Sequence, residues 1–340
     1  MRRLALAALL LASCGGAAAP PPGQRPLAVW SEFLGDEEVR AQLPLCAAEG
    51  VDLYLAIPSV RVGDAALAAL VRAAAAQGVG VRAWLLLPEA DGYWPNEHNV
   101  SALRSAALAL ADWRDAEHLP LDWIVLDMEM ALPRNREVQR IVEMDGAIAA
   151  VDAIKAGRDP AAFADARVAY AALVDELHGR GLEVMAVTIP MVLDDADDGD
   201  DDIQDEFDVP ITGIAWDEVS FMAYQSLLAD FSGSWHGADV IESYGRSAVA
   251  QFGPRAALAL GIVGSAGIAP VAMPYPDAAT LLADHAAARA AGIERVSIYS
   301  LDGLVQQASP DEWLDAQIAP RVPDFGDVDT LRATVRGLLD

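Results

Sequence analysis

Apolar residues recur along this chain in eight short runs: LAVW (27–30), VDLYLAI (51–57), VRAWLLL (81–87), WIVLDME (123–129), LEVMAVTI (182–189), VSFMAY (219–224), AALALGIV (256–263) and RVSIYSL (295–301). Each has the length of a strand and predicts one buried on both faces. Between the runs lie Ala/Leu-rich segments with helical spacing of their apolar positions. Several carry their own boundaries. Asp64 precedes AALAALVRAAAAQ and Gly78 ends it, and Asp159-Pro160 opens AAFADARVAYAALVDELHGRG as N-cap and first helical residue. Ser309-Pro310-Asp311-Glu312 reads as a capping box.

Eight alternating β/α units without a break in composition predict a single (β/α)8 TIM barrel over 27–340. A doubly wound open sheet would carry a Gly-rich turn after its first strand, and LAVWSEFLGDEE has none. The barrel says where to look for chemistry. Function gathers at the C-terminal ends of the strands, while bulky aliphatic side chains fill the middle.

The fourth run, LDWIVLDMEM (121–130), carries Asp122, Asp127 and Glu129 among seven apolar residues. Strand side chains alternate in direction, so Val125, Asp127 and Glu129 share one face and Ile124, Leu126 and Met128 the other. Asp122 has the opposite parity and lies at the start of the strand. Two carboxylates two residues apart on one face lie roughly 6–7 Å apart at Cα. Each disfavours ionisation of the other, so one holds its proton to higher pH. A protonated acid beside an ionised partner is what general acid catalysis requires.

Composition narrows the classes. The 340 residues include 51 acidic and 23 basic side chains, a net charge of −28, which argues against nucleic acid as a partner. With so few bases, ion pairing is a weak explanation for the acids on the fourth strand. Ten of the fifteen residues in 194–208, DDADDGDDDIQDEFD, are acidic. They predict a solvated, self-repelling loop, because Ala196 and Asp205 occupy positions three and twelve of a would-be EF-hand calcium loop. The five histidines (His98, His118, His178, His236, His285) are scattered, so no metal and no cofactor are expected.

The N-terminus reads as a processing signal. Arg2 and Arg3 precede an apolar stretch, Leu4 to Leu11, and then Leu11-Ala12-Ser13-Cys14. That tetrapeptide resembles a bacterial lipobox, which implies a signal peptide over 1–14, lipidation of Cys14 and a location in the cell envelope, anchored to a membrane by acyl chains. Residues 15–26 read as a Gly/Ala/Pro-rich tether. Beyond Cys14 only Cys46 remains, expected in the core.

The fourth strand also carries a resemblance. Asp122-Trp123-Ile124-Val125-Leu126-Asp127-Met128-Glu129 is similar, without a gap, to the D-x-x-D-x-D-x-E motif on the fourth barrel strand of the family 18 glycoside hydrolases, the chitinase-like barrels. Asp122, Asp127 and Glu129 match; Val125 replaces the second Asp. Met222-Ala223-Tyr224-Gln225 resembles that family's M-x-Y-D on the sixth strand, departing at Gln225. The resemblance is sharp only at these two places. It implies a substrate-assisted, retaining hydrolysis of β-linked, N-acetylated glycans. Glu129 would protonate the leaving oxygen, Asp127 would orient the 2-acetamido group, and Tyr224 would bond its carbonyl. Other family features differ: the third strand ends Leu86-Leu87-Pro88-Glu89, and Tyr299 is the nearest candidate for a sugar-stacking aromatic on the eighth strand.

Aromatic side chains and polar groups after the strands fit a carbohydrate cleft. Trp30 precedes Ser31 and Glu32; PEADGYWPNEHN (88–99) brings Glu89, Asp91, Tyr93 and Trp94; Trp235 and His236 follow the sixth strand. Trp84, in mid-strand, is expected in the core. The expected substrate-binding set is Trp30, Glu89, Trp94, Met222, Gln225, Tyr299 and Asp302. For a sugar lacking an acetamide, Glu89, Asp91 or Asp302 would supply the second carboxylate, making the chain a two-carboxylate glycosidase or a lyase. A barrel that kept a glycan-binding cleft without catalysis is the remaining alternative, motivated by Val125 and Gln225.

Overall fold

The computed structural model describes residues 20–232, 234–265, 273–314 and 328–339. All eight apolar runs form parallel strands, β1 (Leu27–Ser31), β2 (Asp52–Pro58), β3 (Val81–Leu86), β4 (Trp123–Asp127), β5 (Glu183–Thr188), β6 (Glu218–Met222), β7 (Ala256–Gly261) and β8 (Arg295–Tyr299). They pair in sequence order, and β8 closes on β1 through Leu27↔Val296, Ala28↔Ser297 and Val29↔Ile298. The chain is a single (β/α)8 barrel.

The helices between them are α1 (Asp36–Glu49), α2 (Ala65–Ala76), α3 (Val100–Glu117), α4 (Leu132–Asp145), α5 (Ala147–Lys155), α6 (Pro160–Gly179), α7 (Val192–Asp198), α8 (Asp202–Glu206), α9 (Gln225–Ser232), α10 (Asp239–Phe252), α11 (Ala278–Ala290), α12 (Leu301–Leu304) and α13 (Val328–Leu339). Asp64 caps α2 by accepting from the Ala66 amide at 2.7 Å, and Asp159 caps α6 through Ala161 and Ala162. Ser309 makes no such bond, so the expected capping box is instead a short 3-10 turn over Pro310–Trp313.

Strand alternation sorts the core into two layers. Ile124, Leu126 and Met128 lie between strands and helices, with buried Cys46 in the same layer. Val125 points inward with Trp30, Trp84 and Met185. Burying these aliphatic and aromatic groups is the main favourable term of the fold.

One further expectation fails here. The 194–208 segment is not a solvated loop: it folds into α7 and α8, and several of its acids have partners. Asp194 pairs with Arg332 at 2.5 Å, Asp195 accepts from the Ile203 and Gln204 amides, Asp201 pairs with Arg167, and Asp208 pairs with Arg134. Neutralisation by arginines distant in sequence, together with backbone donors, removes the repulsion that the local count implied. Just before β1, Gly23 and Arg25 make contacts with the barrel. The Arg25 amide donates to Asp52 at 2.9 Å, its guanidinium reaches the Gly78 carbonyl at 2.7 Å, and Arg82 donates to the Gly23 carbonyl at 3.2 Å. Cys14 and the signal segment lie outside the described residues. Among the described residues no helix is long and apolar enough to cross a membrane.

Candidate active site

Beyond Asp127 the chain continues β4 for one more residue, the Met128 amide donating to the Val187 carbonyl at 2.7 Å. The Glu129 amide then turns to the Pro95 carbonyl at 3.1 Å, in the loop after β3. This extension carries the alternation past the strand, so Asp127 and Glu129 both line a cavity of about 450 Å³ at the C-terminal end of the barrel. Asp122, of opposite parity, is exposed at the far end of the strand.

A third carboxyl enters from β1. Glu32 follows Ser31, and Asp302 holds its loop by accepting the Glu32, Phe33 and Leu34 amides at 3.2, 2.6 and 2.9 Å. The Glu32 carboxyl accepts from the Tyr93 hydroxyl at 2.7 Å and the Tyr299 hydroxyl at 2.5 Å. The floor is aromatic. Trp30 donates from its indole to the Ser297 hydroxyl at 2.8 Å and meets Trp84 edge-on at 5.0 Å. Tyr224 stacks on Tyr299 at 5.7 Å. That stack needs Gly261 at the end of β7, because a Cβ there would come within 3.0 Å of the Tyr224 ring.

Among the described residues no arginine, lysine or histidine pairs with Glu32, Asp127 or Glu129. Their protons are therefore held by burial and mutual repulsion. Burial raises Glu32 to about 7 against the opposing hydrogen bonds of Tyr299 and Tyr93. Burial and then the Glu32 charge push Glu129 to about 8. Asp127 is raised by burial, then by Glu129 and Glu32, and its Oδ1 is buried without a hydrogen-bond partner. The same three carboxyls add to burial in keeping Tyr224 a neutral phenol. The trio thus retains protons near neutrality while able to ionise in part, the condition for donating and accepting a proton at one site.

Trp30, Trp94, Met222, Tyr224 and Tyr299 line the cavity with Asp127 and Glu129, whereas Glu89, Gln225 and Asp302 do not. Glu89 is exposed and paired with Arg136 at 2.9 Å. Gln225 is buried outside the cavity lining, its amide nitrogen donating to Asp284 and the Gly237 carbonyl at 2.8 Å. Asp302 serves the Glu32 loop, and Asp91 is exposed. The extra carboxyl is Glu32 instead. Its sequence signal was parity: Trp30 and Glu32 share the inward face of β1. Trp84 is buried in the barrel interior as expected, yet it also reaches the cavity floor. Trp235 packs against Tyr275 at 5.1 Å, away from the cavity lining.

One cluster could approach a cation: single ligand atoms of Glu97, His98 and Asp208 lie within 4.8 Å of one another. The guanidinium of Arg134 already occupies Asp208.

No protein-family model matches the chain, and no curated protein does. Solved structures match its fold. The glycoside hydrolase domain of PgaB (BpsB) from Bordetella bronchiseptica superposes with a TM-score of 0.51 at 13% identity, covering 87% of this chain and 99% of that one. A β-glucosidase, 1317, gives 0.48 at 13% identity over 78% and 77%. A D-allulose 3-epimerase from Methylomonas sp. gives 0.46 at 11% identity over 81% and 83%. At such identities the likeness is one of fold.

Proposed function

We propose that this protein is a glycoside hydrolase cleaving β-linked, N-acetylated glycans by general acid catalysis with assistance from the substrate. The observation that carries the reading is the group of three carboxyls, Asp127 buried and Glu32 and Glu129 half-buried, without a counter-cation among the described residues and set above an aromatic floor at the C-terminal end of the barrel. The fold likeness to a glycoside hydrolase domain is compatible with it.

In this mechanism Glu129 gives its proton to the glycosidic oxygen as the C1–O bond breaks and the bonding pair goes to the leaving group. The acetamido carbonyl oxygen forms the new bond to C1, giving a cyclic oxazolinium ion. Asp127 holds the acetamido N–H and stabilises the positive charge; Tyr224 donates to the carbonyl. Water then attacks C1, the ring opens, and the Glu129 carboxylate takes the water's proton, leaving the anomeric configuration retained. Trp30, Trp84 and Trp94 supply the aromatic lining against which the sugar would lie.

Glu32 motivates a second reading. With a sugar lacking the acetamide, Glu32 would be the second carboxylate opposite Glu129. A screen of N-acetylated and non-acetylated β-glycans separates the two. Glu129→Gln is expected to lose about 10²–10⁴-fold in turnover on any glycan the wild type cleaves. Asp127→Asn is expected to be as severe only on acetylated ones. Full turnover by Glu129→Gln would sink both readings; dependence on Glu32 in place of Asp127 would select the second. The envelope location is part of the same proposal: incorporation of labelled fatty acid into the wild type and its loss in Cys14→Ser is the expected result.

A further inference from the structure

The cavity has two chemically different halves. The closed strand order sets β8 and β1 opposite β4 and β5. Around β8, β1 and β3 the lining is polar and aromatic: Glu32, Trp30, Trp94 and Tyr299. Across β4 to β6 it is largely apolar, with Val138 and Val142 of α4, Ile154 of α5, Phe207 after α8, and Leu227 and Leu228 of α9; the two polar side chains that α4 adds there, Asn135 and Gln139, bond to each other at 2.8 Å. A sugar hydroxyl moved onto such branched aliphatic surfaces loses hydrogen bonds to water and gains none. The apolar surface does not stop at the mouth. Val142 and Leu227 are 38% and 48% exposed, and beside Val142, at the α4–α5 turn, Met144 and Ile148 are 68% and 75% exposed.

We propose that this half holds a hydrocarbon chain carried by the aglycone, so that the substrate is a glycolipid-like amphiphile with its sugar over the tryptophan floor. The inference rests on the hydrolase reading for the sugar half. α4 and α5 follow Glu129 directly in the chain, and a general acid stands on the leaving-group side of the scissile bond. The apolar half is thus on the side to which the aglycone departs. A straight acyl-type chain and a branched isoprenoid share the required chemistry.

The test uses β-N-acetylglucosaminides with methyl, butyl, octyl, dodecyl and farnesyl aglycones, kept below their critical micelle concentrations. Each fully buried methylene is expected to tighten binding about fourfold. Dissociation constants for Glu129→Gln, measured by calorimetry, are expected to fall at least a hundredfold from methyl to octyl and then level off as the chain leaves the cavity. Wild-type kcat/KM is expected to rise in parallel, and Val138→Asn and Leu228→Asn to flatten both series. Thermal melts check that these variants fold, and the wild-type series stands without them. A steep series in binding with no hydrolysis upholds the chain site and overturns the hydrolase reading. Hydrolysis with neither quantity changing along the series overturns the chain site alone, and a dodecyl–farnesyl difference tells straight from branched chains.

Discussion

The N-terminal end of the barrel and the cavity at its other end treat their carboxylates in opposite ways. At the N-terminal end, Glu218 is fully buried between Arg82 at 2.9 Å and Arg295 at 2.5 Å, and the Arg82 guanidinium lies 3.8 Å over the Trp123 ring. Asp52 there accepts from the Arg25 and Gly80 amides. At the C-terminal end, Glu32, Asp127 and Glu129 share a cavity with tyrosines and tryptophans and have no basic partner among the described residues. A carboxylate paired with arginine is structural; one that is desolvated without such a partner keeps a proton that it can give away. A chain with few basic residues places arginine under the N-terminal end and on the acids around the mouth, Arg134 on Asp208 and Arg136 on Glu89, and leaves the cavity trio without one among the described residues.

The contrast predicts different failures. Glu218→Ala leaves the Arg82 charge buried without its partner, and a loss of about 3–5 kcal/mol in denaturant-derived stability is expected. Glu129→Gln removes a carboxyl that the fold holds at a disadvantage, so its stability is expected to equal or exceed that of the wild type. If the two variants were equally destabilised, the division between the ends would collapse.

The next effect depends on pH. Glu129 titrates at about 8 in the folded chain against 4.5 for an unperturbed glutamate, so it stays protonated while the unfolded state ionises. A raised carboxyl contributes no penalty below the unfolded value, and the native state loses stability as pH climbs toward the folded one. The melting temperature of Glu129→Gln, relative to wild type, is therefore expected to match near pH 4 and to draw ahead progressively up to about pH 8. A constant difference across that window would show that Glu129 is not held protonated.

The smallest predicted effect lies within the trio. The Glu32 charge helps keep Glu129 protonated. In Glu32→Gln the alkaline limb of the kcat/KM profile is expected to move to lower pH, while acid catalysis itself persists on acetylated glycans. An unmoved limb would mean that Glu32 does not act through Glu129.

The barrel was legible because each of its parts is a local pattern. Strand runs, caps at Asp64 and Asp159, and the parity of Val125, Asp127 and Glu129 are set by neighbours within a few residues. Errors came where a residue's role depends on partners distant in sequence. Glu89, Gln225 and Asp302 have the right chemistry in the right loops, but Arg136, Asp284 and the Glu32 loop amides claim them. The acids of 194–208 looked solvated because Arg134, Arg167 and Arg332 are invisible in a local window.

By itself the sequence determined the eight-unit barrel, the inward pair Asp127/Glu129 and the aromatic character of the mouth. Only tertiary structure decided that Glu32 joins the pair, since Tyr299, which holds it, lies 267 positions away and meets it through closure of β8 on β1. It also decided that half the cavity is apolar. Helical periodicity tells which side chains share a face, but not whether that face meets the core or the wall of a cavity; only the packing of α4, α5 and α9 over the barrel mouth settles that.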